Sequence, residues 1–445
     1  MKEKEFALGK STLEGNKRTQ VWRVRGPEDP RIREAGRILR EGGLVAFPTE
    51  TVYGLGANGL DGGACSRIYA AKGRPSDNPL ILHVDSLEMA KELAREWPEK
   101  ARRVANKLWP GPLTMIVPAA ACVPRQVTAG LDTVAIRFPS DAVAQALIEA
   151  AGVPIAAPSA NLSGRPSPTT AGHVLEDLGG RIDVILDGGP CVVGLESTII
   201  DLSVEPPAVL RPGDITEEAL AQLLGPLAGA EDSGPADTEI TSQARAGAEA
   251  AGQSRAARGA EAAAGEAARA QGPKAPGMKY RHYAPKAPVT ILQGKPAAVA
   301  LYVWQRLVNG QENGAEPAGE ADSPAAPSGS QASGKPGPAA AKAESPAESP
   351  AAWPKTALLL SEETWRLLER WGFEAREDGT DWFCRDMGGH DRPREIAARL
   401  YDALRACDGQ RAERIFVEGV SQAGQGAAVM NRLKKAAGNQ VLKLN

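Results

Sequence analysis

The chain has 445 residues, with 52 Lys and Arg against 55 Asp and Glu, a formal charge of −3. That length exceeds one ordinary domain, and the near balance of charge excludes a chain held to nucleic acid or an anionic membrane by bulk electrostatics alone. Aromatic residues make up only 4% while Gly (48) and Pro (35) abound, so part of the chain lacks the material for a packed core.

The start, Met1 to Glu5, carries charges of both signs and runs into no apolar stretch, unlike a secretory leader. No run approaches the ~20 apolar residues that span a bilayer, so no membrane association is expected. Cys65, Cys122, Cys191, Cys384 and Cys407 form no C-x-x-C pair. That spacing suits neither a disulfide framework nor a zinc site and fits a reducing cytosol, hence a cytoplasmic protein. The four histidines are too dispersed for a metal cluster, and no metal site is expected in the protein itself.

In chain order, apolar runs at Leu44–Phe47, Leu80–Val84, Thr114–Val117, Val134–Phe138, Ile155–Ala157, Val184–Leu186 and Thr198–Leu202 predict strands. Amphipathic stretches at Ile32–Glu41, Ser86–Glu96, Glu99–Leu108, Ala142–Ala151 and Thr170–Leu178 predict helices. The alternation makes residues 28–228 an α/β domain with a mixed sheet. Residues 229–287 read as a linker. It holds an Ala/Gly-rich insert from Ala244 to Gly272, then Pro273–Pro285, where two tyrosines and a histidine lie among basic residues. A passive spacer has no use for those aromatics. Residues 288–445 repeat the α/β theme, with strands at Val299–Val303, Thr356–Leu360 and Arg414–Val417 and helices at Glu362–Trp371, Pro393–Ala406 and Gly426–Ala437. Within them, 310–352 contains no aliphatic, Met or aromatic side chain beyond Ala and should be disordered, because it cannot offset its ordering entropy.

The usual phosphate loops fail. Gly9-Lys10-Ser11 would need its first glycine at Lys4, and Gly424-Gln425-Gly426 lacks a third glycine at the dinucleotide spacing. Four polar sets in the first domain remain. Pro48–Gly56 places Thr49, Glu50 and Thr51 at the end of a strand, suiting either a small polar ligand or a capped turn entering a helix. Ala71–Leu80 carries Lys72 and Arg74, which project alike if the segment is extended and would grip phosphate as a point charge and a fork. Pro75 and Pro79 stiffen that loop. Val153–Thr169 runs from small residues into Ser159, Asn161, Ser163 and Ser167. Finally, Arg137 and Arg211 lie inside apolar strands, where each needs a carboxylate from the protein or from a ligand.

Taken together, these segments resemble a known family. Pro48–Leu55, Lys72–Pro75 and Pro158–Gly164 resemble the YrdC-like domain, with Lys72/Arg74 and Ser159/Asn161 matching its K-x-R and S-x-N motifs. The linker Gly277–Pro285 and the second α/β block look like the long, two-domain form of the L-threonylcarbamoyladenylate synthase family. The resemblance runs from about Arg31 to the end and departs from the family in the two inserts. It implies a YrdC-like twisted mixed sheet with a large open cavity, joined by a lid-forming linker to a smaller Rossmann-like α/β domain. It implies a nucleotidyltransferase that makes threonylcarbamoyl-AMP and pyrophosphate from L-threonine, bicarbonate and ATP, the first step of threonylcarbamoyladenosine formation in tRNA.

By position, the resemblance assigns Thr51, His83, Arg137 and the backbone at Ala157 to threonine. It assigns Lys72, Arg74, Asn78, Thr133, Ser159, Asn161, Ser167 and Arg211 to ATP, with Lys72, Arg74, Ser159 and Asn161 at the chemistry. Tyr280, His282 and Tyr283 would form the lid, and Mg2+ would enter with ATP. Implied partners are the machinery that transfers the group to tRNA, with a weak contact to tRNA itself. The alternative is an RNA-binding, translation-associated module without catalysis, which would have no use for Thr51 and His83. A third reading, the carbamoyl-transfer enzyme of hydrogenase maturation, should bring C-x-x-C pairs, and none occur.

Overall fold

The computed structural model describes residues 18–228, 273, 275, 283–308, 355–373 and 382–445. The segments 244–272 and 310–352, and with them the expected disorder, lie outside the described residues, as do Tyr280 and His282.

Short buried strands separated by capped helices build the first domain. The strands are β1 (Gln20–Arg23), β2 (Val45–Phe47), β3 (Gly54–Asn58), β4 (Ile81–His83), β5 (Leu113–Pro118), β6 (Thr133–Arg137), β7 (Ile155–Ala156), β8 (Val184–Asp187), β9 (Thr198–Asp201) and β10 (Ala208–Arg211). They form one mixed sheet in the order β1-β8-β2-β3-β7-β4-β6-β5-β9-β10. The β2–β3, β3–β7, β4–β7, β5–β6 and β9–β10 pairs run antiparallel and the others parallel. The helices are α1 (Pro30–Arg40), α2 (Gly62–Lys72), α3 (Leu87–Glu92), α4 (Glu99–Leu108), α5 (Arg125–Thr128), α6 (Ala142–Ala151), α7 (Ala171–Leu178) and α8 (Glu217–Leu224). They cover both faces. Phe47, Leu147 and Leu186 anchor the core under α1 and α6, while Leu82, Met115 and Ile136 anchor the core under α2 and α4.

The second domain is a parallel sheet of β11 (Val289–Gln293), β12 (Thr356–Leu360), β13 (Trp382–Asp386), β14 (Arg414–Glu418) and β15 (Val441–Lys443), ordered β13-β12-β14-β11-β15. It is flanked by α9 (Pro296–Tyr302), α10 (Glu362–Arg370), α11 (Pro393–Gly409) and α12 (Gly426–Ala437). Its central strands are buried on both faces, which is why Ala-Leu-Leu-Leu at 357–360 reads as an unbroken apolar run. The fold is thus the expected mixed α/β sheet plus a smaller Rossmann-like domain.

Several elements differ from the sequence expectation. Val299–Val303 is not a strand: Pro296 opens a helix there, as its fixed φ favours at a first helical position, and an apolar run of five residues has no period of its own. The strand of that unit is Val289–Gln293, just before it. The helix expected over Ser86–Glu96 stops at Glu92, because Arg95 N–H donates to the Pro118 carbonyl at 2.9 Å and Ala94 bridges to Ala119. The Thr49–Thr51 loop enters strand β3, not a helix. Lys72 and Arg74 are not on an extended segment: Lys72 ends α2 and Gly73 follows at φ 61°, a left-handed turn that favours glycine, which redirects the chain to Arg74.

The two domains share a core. Val52 and Leu195 of the first domain pack with Leu400, Tyr401 and Met430 of the second, and Tyr283 of the linker joins them. Gly194 lies so close to α11 that a Cβ there would meet the Ala398 Cα at 2.5 Å.

Candidate active site

The strand ends and loops of the first domain enclose a cavity of about 710 Å3 of empty space, its solvent-open mouth included. Its lining brings together Thr51, Lys72, Arg74, His83, Arg137, Ala157, Ser159, Asn161 and Arg211 from six separate stretches of chain, with Tyr283 of the linker at its wall.

One side is built around Arg137, which β6 carries next to β4 and His83. Arg137 Nη1 donates to Thr51 Oγ1 at 2.8 Å, and its guanidinium pairs with Glu50 at 2.8 Å. Thr49 Oγ1 lies 2.8 Å from Thr51 Oγ1 and donates to the Val52 carbonyl at 2.7 Å, fixing the loop. Burial would raise the Glu50 carboxyl, but Arg137 outweighs it and holds it below the usual range. Burial, reinforced by Arg137, brings His83 down to about 3, so its imidazole is neutral, with Nδ1 3.3 Å from the Ile81 carbonyl.

The other side is built from α2, the 158–165 loop and β10. Lys72 is 2% exposed, and its ammonium donates to the carbonyls of Ser159 and Asn161, each at 2.5 Å, and to Asn161 Oδ1 at 3.4 Å. Burial, and Arg74 beside it, hold that ammonium well below its ordinary value. Ser159 Oγ donates to Asn161 Oδ1 at 2.6 Å, and Asn161 Nδ2 donates to the carbonyls of Leu162 and Arg165. Arg74 is fixed through the carbonyls of Asn78 and Pro79, and burial lowers it to about 10, so it stays charged at neutral pH. Arg211 reaches the Ser197 carbonyl at 2.9 Å and Ser197 Oγ at 3.2 Å.

Three expected residues do not line the cavity. Thr133 opens β6 at the far end of its pairing with Pro118. Asn78 is buried beneath Arg74, its side-chain amide without a hydrogen-bond partner among the described residues. Ser167 is buried and donates to Glu196 Oε1 at 2.5 Å.

Behind the cavity wall lies a layer of buried charge supplied by the other domain, which no short motif announces. Glu196, which lines the cavity, accepts from Arg432 Nε at 3.0 Å and from the Tyr401 hydroxyl at 2.9 Å. Burial would raise Glu196, but Arg432 and then Arg211 outweigh it and leave it at about 2. Asp177, behind the 158–167 loop, accepts from Arg405 at 2.8 Å and from Arg165 at 2.5 Å. Arg405 and Arg432 fall on the apolar faces of α11 and α12, in step with Tyr401/Leu404 and Val429/Leu433/Ala436. That misplaced charge was a signal the helical period offered.

No group of three or more His, Cys, Asp or Glu side chains among the described residues is placed to hold a metal ion. No helix among them is long and apolar enough to cross a membrane.

A mixed α/β sheet enclosing a cavity that gathers Lys72, Arg74, Arg137 and Arg211, with the lining Glu196 tied to Arg432 and the neighbouring Glu50 to Arg137, defines a protein that takes a small, multiply anionic ligand. Comparison with known proteins narrows the class. A family model described as "Telomere recombination" matches residues 37–213, and one described as "Threonylcarbamoyl-AMP synthase, C-terminal domain" matches 215–438. The threonylcarbamoyl-AMP synthase of Bacillus subtilis is 38% identical over 417 residues, 93% of this chain and 95% of that protein. The one of Pyrococcus abyssi is 56% identical over 198 residues, 44% of this chain and 58% of that protein. The crystal structure of P. abyssi Sua5 complexed with L-threonine superposes with a TM-score of 0.69 at 37% identity, covering 96% of this chain and 99% of that one. The chain belongs to the threonylcarbamoyl-AMP synthase family.

Proposed function

We propose that the cavity holds L-threonine against Thr51, His83, Arg137 and the backbone at Ala157, and ATP against Lys72, Arg74, Ser159, Asn161 and Arg211. The reaction is that of the family: L-threonine, bicarbonate and ATP give threonylcarbamoyl-AMP and pyrophosphate, the first step in forming threonylcarbamoyladenosine in tRNA. The observation that supports the site assignment best is the convergence of Lys72, Arg74, Arg137 and Arg211 on one cavity beside a neutral His83. A pure RNA cradle is not favoured.

In this reading threonine's amine and bicarbonate form a carbamate with loss of water. A carbamate oxygen then attacks the α-phosphorus of ATP, and pyrophosphate leaves with the bond's electron pair. No protein nucleophile is required. The chain's part is to orient two anions and neutralise their charge.

Lys72 acts through the loop it ties down: its protons go to Ser159 and Asn161, and this sets the S-x-N segment in place. Arg74 is held by two carbonyls and presents the rest of its fork to phosphate. Asn78 and Ser167 serve from behind, under Arg74 and through Glu196, and Thr133 from the strand start. Magnesium enters as part of the substrate MgATP. Tyr283 of the linker, at the cavity wall, closes over the mouth.

We place the domain limits at 28–228 and 288–445, and the reaction in the cytoplasm. The adenylate passes to threonylcarbamoyl-transfer machinery, with at most a weak contact to tRNA. The test is pyrophosphate release from ATP, which should require both L-threonine and bicarbonate. Equal release with D-threonine, or with no amino acid, would sink the reading.

A further inference from the structure

The two sides of the cavity are supported differently. Arg137, Glu50, Thr49 and Thr51 hold one another within the first domain. The side assigned to ATP rests on the second domain. Arg432 of α12 is fully buried, lines no part of the cavity, and makes three contacts with the wall. Its Nε donates to Glu196 Oε2 at 3.0 Å, its Nη2 to the Glu196 carbonyl at 3.2 Å, and its Nη1 to the Pro212 carbonyl at 2.5 Å, one residue beyond Arg211. Glu196 in turn accepts from Ser167 and precedes Ser197, the acceptor for Arg211. The Arg432 guanidinium also lies 5.9 Å from the centre of the Tyr283 ring, which stacks on Tyr401 at 5.4 Å.

From this arrangement the geometry points to Arg432 as a positioning residue for the nucleotide side of the cavity, acting through Glu196 and the Arg211 loop and leaving the amino-acid side untouched. Deepening the proposed site assignment, the inference gives the second domain a task in nucleotide affinity. Three charge-assisted hydrogen bonds to the two wall segments at Glu196 and Pro212 are enough to shift a ligand constant by tenfold or more if their geometry is lost.

The test is steady-state kinetics on the full chain, varying ATP and L-threonine separately. Arg432→Lys keeps the charge and loses the fork, and should raise KM for ATP about tenfold or more while KM for L-threonine stays within about twofold. Tyr401→Phe removes a donor to Glu196 but keeps the ring under Tyr283, and should show the same selectivity at smaller size. If Arg432→Lys does not fold, Tyr401→Phe decides by the same criterion. Both constants rising together, a fall in kcat alone, or no change would overturn the inference. Failure of the site assignment itself would look different: the wild-type chain would release pyrophosphate without regard to L-threonine.

Discussion

Arg74 has its Nε and one Nη fixed by main-chain carbonyls, and burial enough to make its charge count. Replacing it with Ala should cut kcat/KM by about a hundredfold or more, as losing a preorganised donor to a developing oxyanion does, while thermal melting shows an intact fold. Activity near wild type would remove Arg74 from the phosphate site. His83 and Glu196 set a pH signature. Unfolded, they take up protons near 6.5 and 4.5; folded, only near 3 and 2. The unfolded chain therefore binds more protons as pH falls, so the stability these two groups contribute should decline as pH falls through 6.5 towards 3. Melting curves across that range test it, and Glu196→Gln should flatten the part below 4.5; a curve parallel to wild type would discount the Glu196 contribution. At this scale the sequence announced most of the cavity wall, since Lys72, Arg74, Ser159 and Asn161 fall in short, dense polar motifs. It stayed silent on Arg405, Arg432 and Tyr401, whose roles depend on contacts across more than 200 residues of chain.

Elements were legible where period or capping was strong. Glu99–Leu108, Ala142–Ala151 and Gly426–Ala437 form helices with the expected limits. β3 was not, because Gly-Leu-Gly-Ala-Asn has the composition of a loop and becomes a strand only by pairing with β2 and β7. α2, rich in Gly and Ala, likewise lacks an apolar stripe, and its Asp61 cap and Gly73 terminator define it instead. That terminator aims Arg74. Gly73→Ala should destabilise by about 1 kcal/mol from the left-handed φ, and should raise KM for ATP; chemical denaturation and kinetics on the same sample would show both. An unchanged KM would mean that the turn does not set the arginine.

For the molecule as a whole, a shared core and two buried interdomain ion pairs make the domains one cooperative unit. Asp177→Ala takes from the buried Arg405 its close carboxylate, leaving only the half-exposed Glu176 at 3.7 Å, and should cost about 3 kcal/mol. Trp97 and Trp109 report on the first domain, Trp365 and Trp382 on the second, so fluorescence and circular dichroism should shift together in a denaturant titration. Separate transitions in the wild type would disprove the coupling. Gly194→Val should loosen the same seam by about 1–3 kcal/mol, since the obstacle is the backbone of α11 and cannot rotate away.

The enclosure of the Lys72 amine has a practical consequence. An amine ringed by three oxygens and shut off from solvent is out of reach of an acylating reagent. In a footprinting experiment with an activated ester, exposed lysines such as Lys443 should be tagged within minutes, whereas Lys72 should remain blank until the chain opens. The blank peptide would then serve as a built-in gauge of how much of a preparation is native, without any substrate being added.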